Sequence, residues 1–417
     1  METPEQDRAQ ATAESPEDTL DRGTVAVLPA RPEPVVRSGS ISRFWRRRAV
    51  RRARRVLLVL LLLFLVVVGT SITEALTAPG TDTTAVRLAE WGRDHGLGGV
   101  LDWLEKQQYE HNQPAIGGAP SGGIPPAAGA LAPPALRGGT PTLPTPPAIP
   151  VLAGGPQLPG EGQWQTVVTV KGAPAVRVAS LRPDDQHTSF VTGVLWLDPN
   201  LVRGQLQPGY LDPGGNWPAA SSITPATQGS VVAAFNAGFR FYQSHGGYYS
   251  DGRTAAPLQD NAASLVLDKD GRATVGSWNN EVRLTPEVAS VRQNLVMLVD
   301  NGQVSPSCSS GSDVWGATVG NTAFIDRSGF GVTANGAEVF VAGSALSVCT
   351  LGNILKAAGV VRGMELDINP AWVNGAYFHD QPTGLPQGFP LYPNQRTPPS
   401  RYFTPTSRDW FGWYARP

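Results

Sequence analysis

At 417 residues the chain is long enough for two or more domains, but its 47 glycines and 38 prolines argue against uniform globularity. A net charge of −1 gives no general attraction to nucleic acid. The two cysteines show no Cys-x-x-Cys spacing, so neither a zinc site nor a thioredoxin-like redox site is supported.

The chain begins with residues 1–42, which are charged, dotted with proline and poor in aromatics, a composition that predicts disorder. Arg43, Arg46, Arg47, Arg48, Arg51, Arg52, Arg54 and Arg55 then form a basic block, and residues 1–55 read as a cytoplasmic tail. The apolar run from Val56 to Val68 stays uncharged up to Glu74. That length meets the lower end of what a bilayer core requires, so residues 56–76 are predicted to be one transmembrane signal anchor. Arginines on its N-terminal side hold that side in the cytoplasm and leave the chain from about Thr77 outside the plasma membrane. The alternative is a cleaved signal peptide with Thr73-Glu-Ala75 as its cleavage site. The long segment before the apolar run speaks for the anchor.

Residues 77–112 predict two short juxtamembrane helices. Val86, Leu88, Ala89 and Trp91 mark the first, and Val100, Leu101, Trp103 and Leu104 mark the second, with Gly96, Gly98 and Gly99 between them. Their expected role is to pack on the main domain or on a partner. Residues 113–160 are dominated by Pro, Ala and Gly. Such a segment is expected to extend as polyproline and to space the next domain away from the membrane.

From Trp164 the pattern becomes β. Thr166–Val170 and Ala175–Ala179 alternate, Phe190–Leu197 is a further strand candidate, and Val231–Phe235 reads as a buried strand. Hairpins are predicted to turn at Asp270-Gly271, Asn301-Gly302 and Asn335-Gly336, where these pairs supply positive φ. Ser347–Ala358 predicts a helix closed by Gly359, and Met364–Ile368 a short strand. The expected class is therefore α+β, a mostly antiparallel β domain with few helices over residues 161–382. Residues 383–417, rich in proline and aromatics, are expected to be a tail packing on that domain, or alternatively a glycan-binding tail.

Glu365 and Asp367 interrupt an apolar run. Two apart on a strand, they would share a face with backbones about 6.6 Å apart. Paired carboxylates are what glycoside cleavage uses. Their mutual repulsion would raise one pKa. A solvent-facing polar strand edge explains the same spacing without chemistry. Asn236 ends a buried strand, where an amide orients a sugar hydroxyl or phosphate oxygen, or else caps an Asx turn. His245 lies in a glycine-rich loop and is a candidate for proton transfer or a merely solvated side chain. Cys308 and Cys349 both fall in the exported part, which favours one disulfide over two unpaired buried thiols. No serine-hydrolase elbow, zincin helix, Walker loop or dinucleotide fingerprint occurs.

Three segments in this order carry a resemblance: Ala234-Phe-Asn-Ala-Gly-Phe239, Arg327 to Gly336, and Leu351 to Gly359 running into Met364-Glu-Leu-Asp367. Together they resemble the phosphodiester glycosidase domain, the family of the lysosomal enzyme that uncovers mannose 6-phosphate. Ile368-Asn369-Pro370 stands where that family has a glycine run. The resemblance implies a hydrolase acting on a sugar–phosphodiester, here an envelope glycan or phosphosugar. It implies Asp367 as the catalytic aspartate, with Asn236, Gly238, Arg327 and Asn369 as substrate-binding residues. Arg327 would offer its guanidinium fork to the two free diester oxygens, or else make an ordinary surface salt bridge with Asp326 or another acid. No cofactor and no metal ligand is assigned, with a divalent cation left open, as is the oligomeric state. The alternative function is a non-catalytic envelope glycan-binding or assembly protein that keeps the fold.

Overall fold

The computed structural model describes residues 41–132, 141–318, 322–381 and 383–417. Residues 1–40 of the expected cytoplasmic tail and residues 133–140 of the expected linker lie outside the described residues. The chain divides into two units, residues 1–68 and 69–417.

The first unit is described only as helix. Helix α1 spans Ile41–Thr77, and Arg46–Thr77 is long and apolar enough to cross a membrane. Residues 41–55 were expected to end a disordered tail. Instead they are the first turns of α1, because Arg and Ala are strong helix formers and the helix simply continues from the apolar run.

The second unit opens with two short helices and holds three sheets. Helix α2 (Thr84–Asp94) starts at Thr83, whose hydroxyl accepts from Val86 N, and helix α3 is Gly98–His111. Tyr109 of α3 donates to Phe324 O, so this pair of helices is tied to the β domain.

The largest sheet has eight strands in the order β1 (Gln165–Val170), β2 (Ala173–Leu181), β3 (Thr192–Leu197), β14 (Glu338–Leu346), β13 (Ile325–Thr333), β15 (Val360–Glu365), β11 (Met297–Asp300) and β12 (Gln303–Val304). A second runs β7 (Arg253–Ala256), β6 (Tyr248–Ser250), β10 (Val288–Asn294), β8 (Ala263–Asp268), β9 (Ala273–Ser277). The third runs β17 (Gln387–Pro390), β16 (Gly375–His379), β5 (Val231–Asn236), β18 (Trp410–Ala415), β4 (Val202–Gln207). Every pairing between these strands is antiparallel. The class is α+β, as the hairpin pattern predicts. Asn301 and Gly302 take φ of 48° and 71° in the β11–β12 turn, and Gly336 takes 87° in the β13–β14 turn.

Two short helices, α4 (Phe241–Ser244) and α5 (Ser312–Trp315), interrupt the connections. Helix α6 (Val348–Ala357) is capped by the Ser347 hydroxyl and closed by Gly359 at φ 90°. Its Leu351, Ile354 and Leu355 pack on Leu298, Val299 and Val341 of the large sheet. Cys308 and Cys349 form a disulfide that joins the turn after β12 to the first turn of α6. The main core lies between the large and third sheets. There Phe235 of β5 stacks on Phe340 of β14 at 4.1 Å and on Trp413 of β18 at 4.5 Å.

Two expected segments differ. Residues 383–417 are not a tail laid on a finished domain: β18 pairs with both β4 and β5, which makes it an inner strand of the third sheet. The alternation Phe411/Trp413 against Trp410/Tyr414 explains this, since both faces are buried. The expected spacer also lies on the domain. Leu131 N donates to Thr166 O, Leu143 N to Asp198, and Ile149 N to Gly162 O, and the Ile149 side chain is buried. Proline forbids regular structure here, but the remaining N–H groups and an isoleucine still find partners.

Candidate functional site

The site forms where all three sheets meet. β5 ends at Asn236, opposite Trp410 of β18. β15 ends at Glu365 beside Gly329 of β13, and the chain continues through Leu366 to Asp367. Ser328 of β13 stitches this extension down. Its amide donates to Asp367 O, and its hydroxyl accepts from Asp367 N at 3.1 Å and from Asn236 Nδ2 at 2.9 Å. From the second sheet, Asn294 donates to the carbonyls of Glu365 and Leu366 and accepts from Phe239 N. A Cβ on Gly238 would stand 3.0 Å from Asn294 Oδ1, so the close approach of the strands accounts for glycine there.

A small cleft opens at this junction. Asn236, Gly238, Asp367, Trp372, Asn374, Arg401, Tyr402, Arg408 and Asp409 line it. Asp367 is 2% exposed. Its Oδ1 accepts from the amides of Ile368 and Asn369 at 2.7 and 2.8 Å, and its Oδ2 accepts from Arg408 Nη1 at 3.0 Å. Burial nevertheless pushes its carboxyl above the usual range, against the pull of Arg408 and the two amides. Asp409 accepts from Arg292 Nε at 2.5 Å, and burial pushes it up to about 6. Two cations contact Trp372, with Arg401 and Arg408 each 4.8 Å from its ring centroid. Two buried donors here, Trp372 Nε1 and Arg408 Nε, have no protein acceptor.

The structure brings only part of the expected set together. Asn236, Gly238 and Asp367 line the cleft. Asn236 is fully engaged: its Oδ1 accepts from Asn374 N, and its amide donates to Ala237 O and Ser328 Oγ. It locks strands together rather than offering itself to a ligand. Glu365 and Asp367 do not form a shared pair, because β15 ends between them and each takes its own arginine. Nor do they form an exposed edge, since both are buried. Glu365 accepts from Arg327 Nη1 at 2.5 Å; burial raises its pKa against that pull, and the Asp367 charge adds to the rise, as the expected repulsion requires. Arg327 offers no fork to a diester: Nε donates to Leu346 O, Nη2 to Ala323 O, and Nη1 to Glu365. Asn369 shapes the turn after Asp367 by accepting from Ala371 N. His245 is exposed at the end of α4 with φ 52° and is not among the cleft-lining residues.

Arg401, Arg408 and Asp409 escaped the sequence reading. The usable signal was Arg408-Asp409, two charges set directly against the aromatic strand Trp410–Tyr414. Among the described residues no cluster of three or more His, Cys, Asp or Glu side chains is placed to hold a metal ion.

No family model and no curated protein matches the chain. Among solved structures, it is similar to the zebrafish N-acetylglucosamine-1-phosphodiester alpha-N-acetylglucosaminidase catalytic domain auto-inhibited by its pro-peptide. The identity is 15%, 61% of this chain and 88% of that one are covered, and the TM-score is 0.39. A hypothetical protein from Synechocystis gives 12% identity over 60% of this chain, with a TM-score of 0.32; the match spans 63% of that chain, less than two thirds of its length. Neither likeness reaches a TM-score of 0.5, so neither assigns this chain an activity.

Proposed function

We propose that the domain is a membrane-anchored, extracytoplasmic hydrolase that takes a phosphate-bearing envelope glycan into the Asp367–Arg408 cleft and cleaves its sugar–phosphodiester bond. The observation that carries this reading is the pairing of unlike groups in one cleft: two carboxylates, Asp367 and Asp409, beside two arginines and two buried donors without acceptors. A phosphodiester and its neighbouring sugar need both kinds of group. Arg401, Arg408 and Trp372 Nε1 would meet the phosphoryl oxygens. Negative charge builds on those oxygens as the bond to the sugar breaks, and cationic donors there favour departure. Asp367 would stabilise the positive charge that develops at the sugar centre. Water supplies the new hydroxyl on the sugar, and a phosphomonoester leaves. The ordered motifs around Asn236, Arg327 and Asp367 support the same reading. The arginine block before α1 supports the outward orientation.

A second reading is a non-catalytic envelope glycan-binding protein. The ion pairing of both carboxylates, Asp367 with Arg408 and Asp409 with Arg292, favours it. Incubation with a sugar-1-phosphodiester separates the two. Release of phosphomonoester supports the hydrolase; saturable binding without any release supports the binder.

A further inference from the structure

Helix α3 turns an apolar stripe outward. Leu97, just before it, and Val100, Trp103 and Leu104 within it are 47%, 57%, 60% and 51% exposed. Steps of three and four place them on one helical face. The other side is occupied: Tyr109 donates to Phe324 O, and Glu105 pairs with Arg93. Four large apolar side chains in one exposed row mark a contact surface.

Its position says what it contacts. The uncharged run from Val56 to Thr73 is 18 residues. As helix it spans about 27 Å, close to the thickness of a hydrocarbon core. Ser71 lies at the outer end of that run. Trp91 Nε1 donates to Ser71 Oγ at 2.9 Å, His95 Nε2 lies 3.2 Å from the same hydroxyl, and the two rings stack at 4.5 Å. These rings therefore sit where hydrocarbon gives way to headgroups, the depth at which tryptophan concentrates. Leu97 follows His95 by two residues, at most about 7 Å of chain. Trp103 lies about 9 Å further along α3.

We infer that the Leu97/Val100/Trp103/Leu104 face of α3 docks in the lipid headgroup interface and gives the exported domain a second membrane contact. The inference rests on reading α1 as a membrane anchor. An interfacial helix needs an apolar face with tryptophan and a polar opposite face, and α3 supplies both. The contact passes to the domain through α2, whose Glu90 and Asp94 pair with Arg240. The domain is then held at a set height instead of swinging on a single helix.

The two native cysteines are bonded to each other, so an added cysteine takes a label alone. The full chain is reconstituted in phosphatidylcholine vesicles with an environment-sensitive fluorophore at Val100→Cys, Trp103→Cys, Ala334→Cys or Leu63→Cys. Position 334 is an exposed turn of the β domain. Lipids carrying a spin-label quencher near the headgroup should quench positions 100 and 103 several-fold more than position 334. Equal quenching at 103 and 334, with Leu63 quenched by deep-labelled lipid, leaves the anchor standing and overturns the docking. A label at 103 shielded from aqueous iodide yet untouched by lipid quencher assigns the face to a protein and also overturns it. If Leu63 escapes every lipid quencher, the anchor itself fails and the docking fails with it.

Discussion

Arg408 reaches Asp367 across the seam between two sheets, its Nη1 3.0 Å from the carboxylate Oδ2. Arg408 leads into β18 of the third sheet, and Asp367 leaves β15 of the large one. The pair closes the cleft floor and also leaves Arg408 Nε without a protein acceptor. A buried pair with a spare donor is suited to take an anionic ligand without first being broken.

Arg408→Lys keeps the charge but removes Nε, the guanidinium contact with the Trp372 ring and the fork. A charge-assisted hydrogen bond contributes about 1.5–3 kcal/mol, so affinity for a phosphosugar should fall by roughly 10–100-fold. Isothermal titration measures it. An unchanged dissociation constant would remove Arg408 from the binding surface.

Trp372→Phe keeps an aromatic ring against Arg401 and Arg408 while deleting the Nε1–H. That donor is buried without an acceptor, so its removal should leave the melting temperature within a few degrees of wild type. Ligand affinity should fall by roughly 10–100-fold, the loss of one hydrogen bond to a charged phosphoryl oxygen. A large drop in melting temperature with unchanged affinity would make the residue purely structural.

Stability should fall as pH rises. Glu338 is fully buried, with its oxygens accepting from Ala273 N at 2.8 Å and Trp413 Nε1 at 2.5 Å, and burial pushes it up to about 7. Asp409 is pushed up to about 6 for the same reason. A carboxyl whose folded value is raised binds its proton more tightly when folded. The stability it contributes is complete below its unfolded value and is lost as pH passes through its folded value. For Glu338 that window runs from 4.5 to about 7 and corresponds to about 3 kcal/mol. The urea midpoint should be higher at pH 5 than at pH 8, and Glu338→Gln should flatten the slope. A higher midpoint at pH 8 would contradict this.

The Cys308–Cys349 bond closes a loop with a sequence separation of 41. Constraint of the unfolded chain at that length is worth about 3–4 kcal/mol. Cys308→Ser/Cys349→Ser should therefore lower the urea midpoint substantially while leaving ligand binding in place, since neither cysteine lines the cleft.

How much of this was legible depended on how local each signal is. The turns at Asn301-Gly302 and Asn335-Gly336 and the Gly359 stop of helix α6 are written in adjacent residues, and they read correctly. The cleft is not local. Asp367 gains its meaning from Arg408 and Asn236 from Asn374, pairs separated by 41 and 138 positions. Alternation correctly flagged Glu365 and Asp367 as unusual. It could not show that β15 ends between them, nor that Arg327 was already committed to Glu365. The aromatic C-terminus read as a covering tail because nothing in Trp410–Tyr414 reveals that neighbours pair on both edges.

The most direct test compares two variants with matched structural cost. Glu365→Gln and Asp367→Asn each take one partner from a buried carboxylate–arginine pair, and each should destabilise by about 3–5 kcal/mol. Both are assayed on a sugar-1-phosphodiester below the lower of their melting temperatures. Asp367→Asn should lose turnover by several orders of magnitude while Glu365→Gln keeps it within about tenfold of wild type. Equal rates in the two variants, or full rate in Asp367→Asn, would contradict the placement of the reaction in the Asp367–Arg408 cleft.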